Sequence, residues 1–270
     1  MRPDVIDLRE FYHSRLGQVA RHLLRYRIRR LWPAVGGMRV LGLGYAVPYL
    51  RQFRDEAERV ISIMPAAQGV HRWPADAGNL VALADEQELP LPDASIDRVL
   101  LMHELENAEQ VRPLLREVWR VMASGGRLLV AVPNRRGIWA RFERTPFGHG
   151  HPYSQGQVSR LLRDNMFQPT AGAAALYMPP IRSRTLLRAA GPLEKLGQSL
   201  GPALAGVLLV EAEKQIYAAT AVRQPRRRRP VALPMPLAEG RDSDFASGKC
   251  PNNVTRPSPY NRLARIPGPA

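Results

Sequence analysis

The sequence has little cysteine and no long apolar run, and both absences exclude classes of protein. Cysteine occurs once in 270 residues, at Cys250, which excludes an intramolecular disulfide framework and a cysteine-rich metal cluster. This usage suits a reducing compartment, and we expect a cytoplasmic protein. The longest apolar run, residues 203–210, is far shorter than the roughly 20 residues that cross a bilayer, so no transmembrane segment is predicted. Residues 1–33 also lack the apolar core of an export signal.

Acidic residues are in short supply, and the excess of positive charge is unevenly placed. The chain has 24 Asp and Glu against 39 Lys and Arg, a formal net charge of +15. Residues 221–270 contain ten of the basic residues and three of the acidic ones, with nine prolines and few large apolar side chains. Such a stretch cannot bury enough apolar surface to offset its conformational entropy. We expect residues 223–270 to be a disordered tail whose arginines make weak, salt-sensitive contacts with polyanions.

Near its start the chain has apolar residues at helical spacing. They predict an amphipathic helix through Leu16, Val19, Ala20, Leu23, Leu24 and Ile28. We interpret residues 1–35 as a helical cap on one side of a domain. An arginine-rich helix that lies on a membrane surface is the alternative.

After Gly36 and Gly37, short β-rich apolar runs alternate with helical stretches. The predicted strands cover residues 39–43, 59–64, 80–84, 97–102, 127–132, 173–177 and 207–211. This alternation is typical of a mostly parallel sheet that is covered on both faces. Residues 36–222 are therefore predicted to form an α/β, Rossmann-like, doubly wound domain with a seven-stranded sheet. The last strand is predicted near a sheet edge, where it could contribute to a dimer.

Three helices are predicted within this domain. Residues 108–122 place apolar side chains on one face, and the glycines at Gly125 and Gly126 end that helix. The second helix begins after Ser154, where Gln157 completes a capping box. The third covers residues 183–200 and is expected to break at Gly191-Pro192.

The most specific stretch is LPLPDASIDRVLLMHELENAEQVRPLLREVWRVMASGGRLLVAVPN, residues 89–134. It follows an acidic loop and joins a Pro-Asp turn, a strand, a helix and a Gly-Gly turn into the next strand. This succession resembles the core of the class I S-adenosylmethionine-dependent methyltransferases, of the methyltransferase type 11 kind. The resemblance covers residues 38–135, and it implies S-adenosylmethionine as cofactor and methyl transfer to an acceptor of unknown identity.

The resemblance also assigns a site. Ligands of open α/β sheets bind at the carboxyl ends of the strands, where the strand order reverses. By the resemblance, Asp85 lies where the family holds the adenine amino group, and His103 borders both cofactor and acceptor. The predicted cofactor-binding residues follow the first four strands and comprise Gly42, Gly44, Tyr45, Met64, Asp85, Glu86 and His103. Simple solvation of the acidic loop is the alternative for its carboxylates.

Two segments depart from the family's pattern. The first loop reads GLGYAVP from Gly42 to Pro48, where the family usually has Asp/Glu-x-Gly-x-Gly-x-Gly. The second strand ends at Met64 without the acid that contacts the ribose hydroxyls. Two hypotheses follow: a methyltransferase with an altered cofactor site, or a non-catalytic binding or scaffold protein that has lost cofactor binding. A dinucleotide-dependent oxidoreductase, and a nucleic-acid or membrane protein acting through its basic ends, also stay open.

The loop after the fifth strand carries the catalytic candidates His149, His151 and Tyr153. In many relatives this loop covers the acceptor, which implies gating or acid/base roles for these side chains. Alternate histidines also suit a metal ion, but no clear third ligand accompanies them, so no metal is predicted. Ordinary loop packing is the alternative.

Overall fold

Seven strands pair into one sheet in the part of the chain that the structure describes. The protein was analysed as a computed structural model in which residues 2–199 and 201–216 are described, so the tail predicted at 223–270 lies outside them. The strands are β1 (Arg39–Gly44), β2 (Arg59–Pro65), β3 (Val81–Ala84), β4 (Ile96–Met102), β5 (Met122–Pro133), β6 (Phe167–Ala175) and β7 (Val207–Lys214).

The strand order is β3-β2-β1-β4-β5-β7-β6. β7 is antiparallel to both of its neighbours, and the other pairs are parallel. The predicted doubly wound, mostly parallel α/β sheet is confirmed. The order reverses between β1 and β4, so the crevice that binds ligands in such sheets is expected beside the carboxyl end of β1.

Helices cover both faces of the sheet. Within the described residues they are α1 (Val5–His13), α2 (Arg15–Leu31), α3 (Val47–Leu50), α4 (Val111–Val121), α5 (Gln155–Asp164), α6 (Arg184–Arg188) and α7 (Ala190–Ser199). None of these helices is long and apolar enough to cross a membrane. Because side chains alternate along a strand, Val40 of β1 packs with α1–α3 on one face, and Leu41 packs with α4 and α5 on the other.

The predicted first helix is present as α2, and a second helix, α1, precedes it. Asp4 caps α1 by accepting a 2.8 Å hydrogen bond from the Ile6 N–H. Ser14 separates the helices with an extended backbone, and its hydroxyl accepts a hydrogen bond from the Gly17 N–H that caps α2. α1 is missing from the sequence prediction, although its buried side chains, Val5, Leu8 and Tyr12, have nearly helical spacing.

The unit from β4 to β5 follows the sequence prediction closely, except that α4 ends at Val121 and the two glycines predicted to end it lie within β5. The turn before β4 has Ala94 in the left-handed region at φ +51°, and the Ser95 N–H donates to the Val121 carbonyl oxygen at 2.8 Å. α5 has the predicted capping box between Ser154 and Gln157. The predicted third helix is interrupted and forms α6 and α7, but the break lies at Ala189 and not at Gly191-Pro192, which is in the first turn of α7.

The last strand lies near a sheet edge, as predicted, but it is not itself an edge strand. β7 lies between β5 and β6, and the two edge strands are β3 and β6. Its first six residues are all buried, as expected of a strand that is covered on both faces and paired on both sides. β7 therefore offers no free edge to a second subunit.

Candidate functional site

The turn after β1 is built around a glycine that tolerates no side chain. Gly44 has φ +74°, in the left-handed region. A Cβ at Gly44 would lie 2.4 Å from the Met102 carbonyl oxygen and 2.8 Å from Glu104 Oε2. The next residue, Tyr45, donates its backbone N–H to the same Met102 oxygen at 2.8 Å. The turn is thus pressed against the end of β4, and only glycine fits there.

Gly42 faces the core rather than the crevice. A Cβ at Gly42 would lie 2.6 Å from the Ala46 Cβ and 2.7 Å from Leu50 Cδ1. Ala46 replaces a glycine of the family's loop, and its methyl group occupies the space that Gly42 leaves. Met64 at the end of β2 is also fully buried, within the core cluster that contains α1 and α2.

Aromatic rings from separate parts of the chain pack together beside Gly44. Tyr45 is 3% exposed and stacks on Tyr12 of α1, with ring centroids 5.6 Å apart and planes 13° apart. Burial raises the pKa of Tyr45 to about 12. The Tyr12 hydroxyl lies 2.7 Å from His103 Nε2 and accepts a 2.8 Å hydrogen bond from the Tyr49 hydroxyl. α1 thus contributes a ring to the place where the crevice is expected.

The turn after β4 holds buried polar groups. His103 has φ +55°, is 1% exposed, and packs its ring 4.7 Å from that of Phe147. Its Nδ1 lies 3.3 Å from Glu106 Oε1, too poorly aligned for a hydrogen bond. Glu106 is 1% exposed, and neither of its carboxylate oxygens has a hydrogen-bond partner among the described residues.

Two carboxylates of the acidic loop after β3 have different hydrogen-bond partners. Asp85 is exposed, and its Oδ1 accepts a 2.8 Å hydrogen bond from the Gln87 N–H. Glu86 accepts a 2.6 Å hydrogen bond from the guanidinium of Arg2. The same guanidinium donates to both oxygens of Glu104, at 3.3 and 3.4 Å. Arg2 therefore bridges the loop after β3 and the turn after β4.

Two cavities lie on either side of this bridge, and Arg2 and Ala67 line both. The smaller, of about 360 Å³, opens between the ends of β2 and β3. Its other lining residues are Pro65, Ala66, Asp85, Glu86, Gln87, Asn107 and Glu109. The larger, of about 620 Å³, lies between α1 and the loop after β5, and its lining includes Asp7, Glu10, Glu143, Arg144, His149 and Arg182. Both volumes are in the range of ligand pockets.

The structure separates the three catalytic candidates. His149 lines the larger cavity. His151 is exposed, and its backbone N–H donates to the Glu106 carbonyl oxygen at 2.7 Å. Tyr153 pairs with the end of β5 through its backbone, and burial raises the pKa of its half-buried hydroxyl.

Protein side chains occupy the space beside Gly44 in this arrangement. Glu104 occupies the space that faces the glycine, while Tyr12 and Tyr45 are stacked next to it. Of the seven predicted cofactor residues, Asp85 and Glu86 line the smaller cavity. Arg2 and Tyr12 are functional candidates that the sequence prediction missed, because they lie far along the chain from the residues that they contact.

The sheet order, the Gly44 turn and the acidic loop after β3 together define the class I methyltransferase fold. Residues 40–130 match the family model described as "Methyltransferase domain". The resemblance inferred from sequence is thereby confirmed over residues 40–130, the part of the chain that matches this domain of S-adenosylmethionine-dependent methyltransferases.

Curated relatives are similar over part of their length. A probable S-adenosylmethionine-dependent methyltransferase of Mycobacterium tuberculosis is 32% identical over 104 residues, which cover 38% of each chain. The 27-O-demethylrifamycin SV methyltransferase of Amycolatopsis mediterranei is 31% identical over 131 residues, which cover 44% of this chain and 48% of that one. The chain thus matches less than half the length of these relatives.

Solved structures share the fold at low sequence identity. A putative methyltransferase of Haloferax volcanii, solved with the Trm112 methyltransferase activator, is 18% identical with a TM-score of 0.56. The match covers 78% of this chain and 98% of that one. A possible histamine N-methyltransferase of Thermotoga maritima is 14% identical with a TM-score of 0.55, covering 78% and 96% of the two chains.

Proposed function

We propose that this chain transfers a methyl group from S-adenosylmethionine to an acceptor. The observation that carries the proposal is the turn at Gly44. It lies at the carboxyl end of β1, beside the point where the strand order reverses, and within the stretch that matches the family. A glycine that combines positive φ with close backbone contacts is what a ligand needs at such a turn.

The residues proposed to face the cofactor are Gly44, Asp85, Glu86 and His103, at the ends of β1, β3 and β4. Gly42, Tyr45 and Met64 are proposed to support them from the core side. In this family the reactive methyl group belongs to the cofactor. The protein therefore binds and orients the cofactor and the acceptor, and it excludes water. No further catalytic triad is required.

The larger cavity is the proposed acceptor site. It carries charges of both signs, with Asp7 and Glu10 on α1 and Arg144 and Arg182 on the other wall. A polar small molecule suits such a lining better than an apolar one. His149 is the predicted acid/base candidate that reaches this cavity, whereas His151 and Tyr153 stay predictions with a packing alternative.

Calorimetric titration of the full chain with S-adenosylhomocysteine tests the proposal. We expect saturable one-to-one binding that Gly44→Ala abolishes. Gly36→Ala is the matched control, because a Cβ at Gly36 meets no atom within 4 Å. The methyltransferase proposal fails if no binding occurs at millimolar ligand, both in this chain and in the Arg2→Ala variant described below.

A non-catalytic binding or scaffold protein is the second candidate function. The packing of Tyr12, Tyr45 and Glu104 in the crevice favours it. The same titration separates the candidates, because a scaffold that has lost its cofactor site binds neither S-adenosylmethionine nor its product. A cytoplasmic location and polyanion contacts of the basic tail stay predictions.

A further inference from the structure

The guanidinium of Arg2 is held in a nearly closed carboxylate site. The side chains of Arg2, Glu86 and Glu104 are 8%, 12% and 0% exposed. The guanidinium makes one 2.6 Å contact with Glu86 and two longer contacts with Glu104. A buried carboxylate is costly unless it is paired, so this site needs a cation or a proton.

A third carboxylate, that of Glu106, lies near Glu104. Glu106 is buried close to Glu104, and both of its oxygens lack a hydrogen-bond partner among the described residues. Burial raises the pKa of Glu104, Arg2 opposes this rise, and the charges of Glu86 and Glu106 add to it. Arg2 is therefore shared between Glu86 and Glu104, while Glu106 lies 3.3 Å from His103 Nδ1.

The carboxylate site around Arg2 lies next to the glycine turn and the two cavities. Glu104 Oε2 would lie 2.8 Å from a Cβ at Gly44, so the carboxylate borders the glycine turn. Arg2 also lines both cavities and divides them. Withdrawal of Arg2 would leave both carboxylates without their cation and would remove a wall that the two cavities share.

We propose that Glu86 and Glu104 form a subsite for the cationic group of a ligand, and that Arg2 occupies this subsite in the free protein. The ligand class is an organic cation that carries an ammonium or sulfonium group. Identification of that ligand as S-adenosylmethionine or its product rests on the proposed function. Tyr12 lies in the same segment as Arg2, so a ligand that displaces residues 2–13 removes both groups from the crevice.

The first experiment tests the subsite without the cofactor. Methylguanidinium at millimolar concentration is added to ¹⁵N-labelled Arg2→Ala protein, and amide chemical shifts around Glu86 and Glu104 are followed. We expect saturable shifts in Arg2→Ala and none in the unmodified chain, where Arg2 fills the site. A lack of saturable shifts in Arg2→Ala would overturn the subsite, whatever the protein does with S-adenosylmethionine.

The second experiment identifies the ligand. S-adenosylhomocysteine, which has an ammonium group, is titrated into the unmodified chain, Arg2→Ala and Arg9→Ala. Arg9 is a matched control because it is an exposed arginine on α1. We expect at least tenfold tighter binding to Arg2→Ala and a change of less than twofold in Arg9→Ala.

Equal or weaker binding by Arg2→Ala would contradict the occupancy of the ligand's subsite by Arg2, while the proposed function would survive. A further change, Glu104→Gln in the Arg2→Ala background, is expected to weaken binding of S-adenosylhomocysteine about tenfold. It should leave binding of 5′-methylthioadenosine, which has no ammonium group, unchanged. Circular dichroism of each variant confirms that it is folded.

Discussion

The β4-α4-β5 unit and the crevice beside β1 are neighbours in the sheet, yet they differ in how their contacts are made. In the first, Arg120 of α4 donates hydrogen bonds to the Leu89 and Leu91 carbonyl oxygens, about thirty positions away. In the second, Arg2 reaches Glu104 across 102 positions. The family's pattern persists where contacts are local, and a distant segment fills the region where the pattern is altered.

The largest effect is expected from Gly44→Ala, which changes the turn beside the crevice. A non-glycine residue in the left-handed region costs about 1–2 kcal/mol, and the clash with the Met102 oxygen adds to it. We expect a loss of about 2–4 kcal/mol in the free energy of unfolding, measured by urea denaturation. A loss within 0.5 kcal/mol of that in Gly36→Ala would show that the turn is not constrained as described.

Tyr12→Phe tests whether α1 is locked into the crevice. The change removes one hydroxyl and leaves both His103 and the Tyr49 hydroxyl without their buried partner. We expect a loss of about 1–3 kcal/mol in unfolding free energy. Tyr26→Phe on α2 is the control, since that ring is 55% exposed and should give no measurable change. Equal stability of the two variants would contradict the hydrogen-bonded arrangement.

Arg120→Ala tests the contacts within the β4-α4-β5 unit. Its guanidinium holds the loop before β4 through two carbonyl groups and the carboxylates of Glu117 and Asp93. Because the side chain is 31% exposed, solvent screens part of this gain, and we expect a loss of about 1–2 kcal/mol. Arg116→Ala, at an exposed position of the same helix, should be neutral. Binding of S-adenosylhomocysteine should be unaffected in both variants.

The pH dependence of the unfolding free energy tests whether the pKa of Glu104 is raised. Burial raises the pKa of this carboxyl in the folded chain, so the folded state keeps a proton that the unfolded chain releases. The resulting stability is complete below the ordinary glutamate pKa of about 4.3 and is lost as pH rises through the folded pKa. Its slope is at most about 1.4 kcal/mol per pH unit.

Glu104→Gln removes this dependence, so the stability of the unmodified chain relative to Glu104→Gln should fall as pH rises above that range. Glu88→Gln is the control, since Glu88 is exposed in the same acidic loop as Glu86. A difference between the unmodified chain and Glu104→Gln that stays constant with pH would contradict a raised pKa.

Much of the fold could be predicted because its signals are short in range. Apolar periodicity and the turn residues placed α4 and the first four strands within a few residues, and Ser154 with Gln157 marked the start of α5. The position of β7 was not predictable in the same way. Strand order depends on pairing across the sheet, and β7 lies between β5 and β6, antiparallel to both.

The candidate site could be predicted only in part for a related reason. Asp85, Glu86 and His103 follow from where β3 and β4 end, and Gly44 follows from the turn after β1. The roles of Arg2 and Tyr12 depend on how α1 docks across the carboxyl ends of the strands. No spacing within residues 2–13 shows which distant groups they contact.

Hydrogen exchange with and without S-adenosylhomocysteine is the most direct test of whether residues 2–13 occupy the ligand's place. If the ligand displaces residues 2–13, amides of α1 should exchange faster in its presence, while amides of the turn from Gly44 to Leu50 should exchange more slowly. Slower exchange of α1 on ligand binding would contradict the claim that this segment occupies the ligand's place.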